Sequence, residues 1–291
     1  MSHYECLAVS NAERSSWMLN RMLNPANMVT MVSEIDASAV VRLREDSRAA
    51  TGRVPSYTAI VMRAAARMLK AHPEANRAII GFPGFRKLVQ FHTTDIGVAV
   101  EKSLPLLPGA AFAVPVGNTA EKSLLELTDE LQALAHCTEE DNPAFRLYQR
   151  ILKYVPPFLS YWLINMPAWI PALWVKHRGS AAWVNAPSRA GADTVTTTWP
   201  WPITFSFGIV KPRPFVVDGR LEVRSTMPVV MVFDRRIMGG GPASRLFAEF
   251  QRCLVEANVR LADPLPCDVV PLKTQAPVTA QRGPALQEAC G

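Results

Sequence analysis

The sequence is poor in the features that bind metals, polynucleotides or disulfide partners. Its five cysteines (Cys6, Cys137, Cys253, Cys267 and Cys290) are odd in number and widely spaced, with no Cys-x-x-Cys pair. That argues against a disulfide framework or a zinc site and suits a reducing compartment. No metal ligand set is expected. The formal net charge is +6 and the isoelectric point about 9.2, yet Lys and Arg are scattered, with no long basic run. Nucleic acid is therefore not an expected partner; a mildly basic surface, or attraction to phosphate groups on a small ligand or carrier, is. Residues 1–20 include Glu5, Glu13 and Arg14 and lack an apolar core segment. No signal peptide is expected, and the cytoplasm is the expected address. There is no internal repeat of fixed period.

The chain has 291 residues, 49% hydrophobic and 19% charged, enough to bury a full core. Residues 27–36 mix β-branched and polar residues as a strand does, and a helical pattern runs from Ala37 to Asp46. Residues 56–72 predict a helix capped by Ser56 and stopped by Pro73. Its expected polar face is Arg63, Arg67 and Lys70, and its apolar face Val61, Ala64, Ala65, Met68 and Leu69. Strands are expected at 88–100 and 111–116, then a helix over 119–135 capped by Asn118 or Thr119, with Leu124, Leu127, Leu131 and Leu134 as its stripe. Further strands are expected at 180–186, 203–210, 214–217, 221–226 and 228–233, with a hairpin turn at Asp218-Gly219. A last helix covers 242–260. Interleaved strands and helices predict one α/β layer protein over residues 1–262.

Two stretches differ from the rest. Val155 to Val175 carries no charged residue and is flanked by Lys153 and by Lys176, His177 and Arg178. A membrane span is compatible with that length, but Pro156, Pro157, Pro167 and Pro171 would break the backbone hydrogen bonding that hydrocarbon demands. A pair of short helices, buried or covering a pocket, is the expectation for this apolar insertion at 154–178; contact with a membrane surface is the alternative. Residues 263–291, rich in proline, are expected to form a tail.

An ordered set of segments resembles the catalytic domain of the dihydrolipoamide acyltransferases, in the chloramphenicol acetyltransferase-like superfamily. Asn20-Arg21-Met22, with Val29 to Asp36 and Leu43-Arg44, is similar to that domain's entry. His72-Pro73 and Asn76 resemble the element closing its first long helix. Asp95-Ile96-Gly97-Val98-Ala99-Val100, then Ala113-Val114-Pro115-Val116 and Lys122-Ser123-Leu124, resemble its next signatures. Phe207-Gly208-Ile209-Val210, Asp218-Gly219 and Phe233-Asp234 are similar to its final hairpin and catalytic strand. The resemblance implies a two-layer α/β fold, a mixed sheet packed by helices, and a homotrimer whose reaction channel lies between subunits. It also implies a pantetheine thiol as one substrate and, in the strand before the hairpin, a Ser or Thr hydroxyl that stabilises the oxyanion.

The motif that carries the family's chemistry, Asp-His-Arg-x-x-Asp-Gly, reads here Asp234-Arg235-Arg236-Ile237-Met238-Gly239-Gly240. Arg235 stands in place of the histidine base and Gly239 in place of the second Asp. A guanidinium keeps its proton near neutral pH and cannot act as base; its donors can hold a carboxylate, a phosphate or an oxyanion. Loss of a positioned base costs typically about 10²–10⁴ in rate. Asp234 is expected to pair with an Arg.

For the oxyanion position the comparable stretch is Ala182-Trp183-Val184-Asn185-Ala186-Pro187-Ser188, where Asn185 or Ser188 could donate; a strand end and its turn is the plainer alternative. His92 and His177 are candidate substitute bases, each with a bland surface or core role as its alternative, while His72 and His136 read as structural. Trp183, Trp162 and Arg236 are candidate substrate contacts. The expected function is a stand-alone divergent acyltransferase acting on a small-molecule or carrier-bound acyl substrate, with a thioester donor for which coenzyme A is the candidate carrier and with no covalently bound cofactor. The alternatives are an enzyme repurposed for cyclisation or rearrangement of an apolar substrate in secondary metabolism, and a non-catalytic trimeric binding protein.

Overall fold

The computed structural model describes residues 27–82, 84–104, 107–138, 140–186 and 193–261, with the backbone alone of 102–104 and 107–111. The elements run β1 (Met28–Asp36), α1 (Ser38–Thr51), α2 (Tyr57–Ala71), β2 (Arg77–Ile80), β3 (Lys87–Gln90), β4 (Ile96–Leu104), β5 (Leu107–Val116), α3 (Leu124–His136) and α4 (Pro143–Tyr154). They continue with α5 (Pro157–Asn165), a 3₁₀ turn (Met166–Ala168), α6 (Pro171–Arg178), β6 (Ala182–Asn185), β7 (Ile203–Phe207), β8 (Lys211–Val217), β9 (Arg220–Asp234), α7 (Gly240–Val255) and α8 (Ala257–Arg260). The expected tail at 263–291 and the entry segment Asn20-Arg21-Met22 lie outside the described residues.

Seven strands form one mixed sheet in the order β1-β9-β7-β6-β4-β5, with β8 paired to the outer half of β9. The β4–β6 and β6–β7 pairs are parallel and the others antiparallel. β2 and β3 make a separate two-stranded hairpin. Alternation along β7 and β9 decides what each sheet face carries, because successive side chains point to opposite sides. Ile203, Phe205, Phe207, Met227, Val229, Met231 and Phe233 face the main core, where they meet residues of α1, α2, α3 and α7. A smaller core on other elements gathers Trp174, Trp183 and Trp201 with Ala78, Ile80 and Phe91.

Local chemistry accounts for several boundaries. Ser123 and Glu126 form a reciprocal capping box, so α3 starts at Leu124 and not near the expected Asn118 or Thr119. Asp218 and Gly219 both take positive φ, as a tight hairpin turn requires. The two strands expected at 221–226 and 228–233 are one, β9, which runs straight through Pro228. α2 differs most from its predicted amphipathic pattern. It is buried nearly all round, Arg63 included, and that guanidinium donates to the Leu261 carbonyl at 2.9 Å. Ala59, Ala64, Ala65 and Ala66 give the helix a surface narrow enough to sit between the sheet and two other helices.

Candidate active site

The motif turn follows the end of β9. Asp234 is buried, and both its oxygens accept from Arg236: Nε at 2.9 and 3.1 Å, and the terminal nitrogen at 2.6 Å, with the Arg236 backbone N–H adding a bond at 2.9 Å. The expected Asp234–Arg pair is therefore present and its partner is Arg236. Hydrogen bonding to Asp234 raises the Arg236 pKa above its ordinary value. A bidentate pair of this kind fixes the turn's geometry. Between the paired residues Arg235 donates its backbone N–H to Asn27 at 2.9 Å and leaves its side chain exposed.

Behind this turn runs a row of registered residues on the sheet face opposite the main helices. Thr30 pairs with Val232, Val232 with Thr204, Thr204 with Trp183 and Trp183 with Gly97. In the next row Val230 pairs with Ser206 and Ser206 with Asn185. The Thr204 and Ser206 hydroxyls and the Trp183 indole N–H are buried and make no hydrogen bond among the described residues. A buried hydroxyl without a partner costs on the order of 1–3 kcal/mol, so two of them on consecutive outward positions of one strand point to a role other than stability. Because β7 is the strand before the β8–β9 hairpin, Thr204 and Ser206 meet the condition that the resemblance set for the oxyanion hydroxyl. Sequence reading passed over them for the stretch ending at Ser188; the available signal was the Thr-x-Ser alternation running into Gly208.

Of the candidates themselves, Asn185 ends β6 and its Nδ2 donates to Thr197 Oγ1 at 3.1 Å, while Ser188 lies outside the described residues. His92 is exposed in the connection before β4, not on a strand. His177 is half-buried in α6, and burial with the neighbouring Lys176 charge pushes its pKa down. Trp183 is fully buried, stacked on Trp199 and tilted against Trp201 at 4.8 and 4.4 Å between ring centroids. A side chain at Gly97 would strike the Trp183 ring, which gives the Ile-Gly-Val segment a packing reason for its glycine. Trp162 stands half-exposed on α5. The structure thus gathers Asn185 and Trp183 beside Thr204 and Ser206, and Arg235 and Arg236 in the turn. It brings His92 and His177 to neither group. Among the described residues no cluster suited to a metal ion occurs.

A separate buried charge lies beneath the tryptophans. The Arg178 guanidinium stacks 4.9 Å from the Trp174 ring and 5.3 Å from Trp201, and donates to the Pro200 carbonyl at 3.2 Å and Asn165 Oδ1 at 3.4 Å. Desolvation lowers its pKa to about 10, so it remains a cation at neutral pH. Its contacts are internal, and it holds the end of α6 to α5 and to the segment before β7.

This architecture is shared with known acyltransferase cores. A family model described as the 2-oxoacid dehydrogenases acyltransferase (catalytic domain) matches residues 11–144. The structure is similar to a probable dihydrolipoamide acetyltransferase from Listeria monocytogenes, at 17% identity and a TM-score of 0.61 over 89% of this chain and 97% of that one. It is similar as well to the dihydrolipoamide acetyltransferase of Azotobacter vinelandii, at 18% identity and a TM-score of 0.64 over 89% and 95% of the two chains. That enzyme has been studied for the roles of a serine, a histidine and an asparagine in catalysis. The cubic core of a pyruvate dehydrogenase multienzyme complex gives 17% identity and a TM-score of 0.63 over 89% and 95%. No curated protein sequence matches the chain. The chain therefore resembles the dihydrolipoamide acyltransferase catalytic domain in sequence, and it has the expected two-layer chloramphenicol acetyltransferase-like α/β fold.

Proposed function

We propose that the protein is a divergent acyltransferase. It takes an acyl group from a coenzyme A thioester, in a channel between copies of the chain, and passes it to an acceptor that needs no enzymic base. One observation carries this reading: the Asp234–Arg236 pair holds the motif turn rigidly, and the residue in the base position is an exposed Arg235. A permanent cation at that place supports anion stabilisation and not proton abstraction. An amine acceptor would attack the thioester carbonyl with its own lone pair. The C–N bond forms, the C–S bond breaks, the thiolate leaves beside a cation, and the ammonium proton passes to solvent. The Ser206 or Thr204 hydroxyl would donate to the carbonyl oxygen as its charge develops.

Strand register supports a site built from more than one copy. Asp234 lies four residues beyond Val230, the partner of Ser206. At about 3.3 Å per residue that separation is roughly 13 Å within one chain for Ser206, against about 7 Å for Thr204 opposite Val232, so it is a Ser206 site, and not a Thr204 site, that calls for a second copy. A homotrimer with its channel between subunits, as the family resemblance implies, would bring one chain's turn to another chain's β7.

The test is coenzyme A release from a panel of acyl-coenzyme A donors, with amine and thiol acceptors, for wild type, Arg235→His and Arg235→Ala. Wild type is expected to turn over with an amine acceptor, and Arg235→Ala to lose about 10²–10³ of that rate, the usual cost of removing an anion-stabilising donor. Arg235→His should gain transfer to a thiol, because it restores a group able to take the thiol proton. No turnover by any of the three proteins with any acceptor would discard the proposal.

A further inference from the structure

α5 is apolar nearly all round, and its two polar side chains are the buried ones. In a water-facing helix the apolar stripe turns to the core. Here the buried residues are Ser160 and Asn165, while Phe158, Leu159, Trp162 and Leu163 are 58%, 45%, 52% and 43% exposed. The polar pair is satisfied internally: Ser160 Oγ donates to the Pro156 and Pro157 carbonyls at 3.1 Å, and Asn165 Nδ2 donates to the Tyr161 carbonyl at 2.9 Å.

A second segment joins the same surface. The Gly81 N–H donates to the Ala168 carbonyl at 3.1 Å, and the Phe82 ring stacks on Trp169 at 5.2 Å, which in turn lies 5.0 Å from Trp162. Phe85, 81% exposed, extends the aromatic surface beyond this ladder.

The segment that carries this surface has charge of one sign. Between Asp141 and Asp193 the sequence has no Asp or Glu, while Arg150, Lys153 and Lys176 are exposed at the ends of α4 and α6. Arg86 and Lys87 are exposed beside Phe85. Among the described residues no helix is long and apolar enough to cross a membrane; α5, with nine residues, extends only about 13 Å.

We infer that α5, with Phe82 and Phe85, forms a face that docks on an anionic phospholipid bilayer. The aromatic and leucine side chains enter the acyl boundary, and the basic rim meets the headgroups. Buried apolar area together with Lys or Arg beside anionic headgroups sets the strength of such binding.

The experiment is co-sedimentation of the full chain with phosphatidylglycerol/phosphatidylcholine vesicles and with phosphatidylcholine alone, together with the protein's mass by light scattering. Wild type should pellet with the anionic vesicles, less so as salt rises, and remain in solution with the neutral ones. The Phe158→Glu/Trp162→Glu protein should bind more than roughly tenfold more weakly. Lys153→Glu/Lys176→Glu, which leaves the apolar surface intact, should lose the preference for anionic lipid. Unchanged binding by both variants, or no binding by wild type, overturns the proposal. A smaller assembly mass for Phe158→Glu/Trp162→Glu than for wild type also overturns it, because the face would then be covered by another copy of the chain.

Discussion

On one side of β7, Ile203, Phe205 and Phe207 are wholly enclosed by the main core, with Phe205 4.4 Å from the ring of Phe250 on α7. One residue along the same strand, on the opposite side, Thr204 and Ser206 bury hydroxyls that find no partner among the described residues. The same five-residue strand thus carries a stabilising face and a face that gives up stability. Hydrophobic burial explains the first. The second leaves those hydroxyls for a group beyond the described residues, such as a substrate oxygen or a neighbouring copy.

Four substitutions sharpen or break that contrast, and the largest effect belongs to the core face. Phe205→Ala should lower unfolding stability by about 3–5 kcal/mol, measured by urea denaturation; a loss below ~1 kcal/mol would erase the distinction between the faces. Arg236→Ala leaves the Asp234 carboxylate buried without its charged donors. It should cost about 1.5–3 kcal/mol in the same measurement. Ser206→Ala should leave stability within ~1 kcal/mol of wild type, or raise it, because no hydrogen bond among the described residues is lost. If the hydroxyl serves the oxyanion, coenzyme A release should nevertheless fall by about 10²-fold or more.

The smallest effect is on pH dependence. His177 titrates below its ordinary value of about 6.5 because it is partly buried and beside Lys176. As pH falls, the unfolded chain binds that proton before the folded one does, so the folded state loses stability below about pH 6.5. His177→Gln should flatten the stability curve there, as thermal unfolding between pH 7 and 5 would report.

The patterns that were legible in the sequence are the ones set by nearest neighbours along the chain. The Ser56 cap, the Asp218-Gly219 turn and the apolar stripe of α3 are of this kind, as are the short helices within 155–175. What escaped was long-range pairing. Continuity of β9 through Pro228 depends on β1 and β7 flanking it, and burial of Arg63 depends on a carbonyl far along the chain at Leu261. Thr204 and Ser206 escaped for the same reason: Asn185 and Ser188 come from one stretch of the chain, whereas these buried hydroxyls belong to the strand next to the hairpin, which only the sheet order identifies.

By itself the sequence determined that this is an α/β protein resembling the acyltransferase catalytic domains, with an arginine in the base position, because composition, periodicity and motif residues are properties of the chain alone. Only the tertiary structure decided that Asp234 pairs with Arg236, that Trp183 is core, that Thr204 and Ser206 are buried with no partner among the described residues, and that α5 turns Phe158, Leu159, Trp162 and Leu163 outward. Each of these depends on which groups are brought together or left facing solvent once the sheet has closed. Local sequence does not encode that proximity.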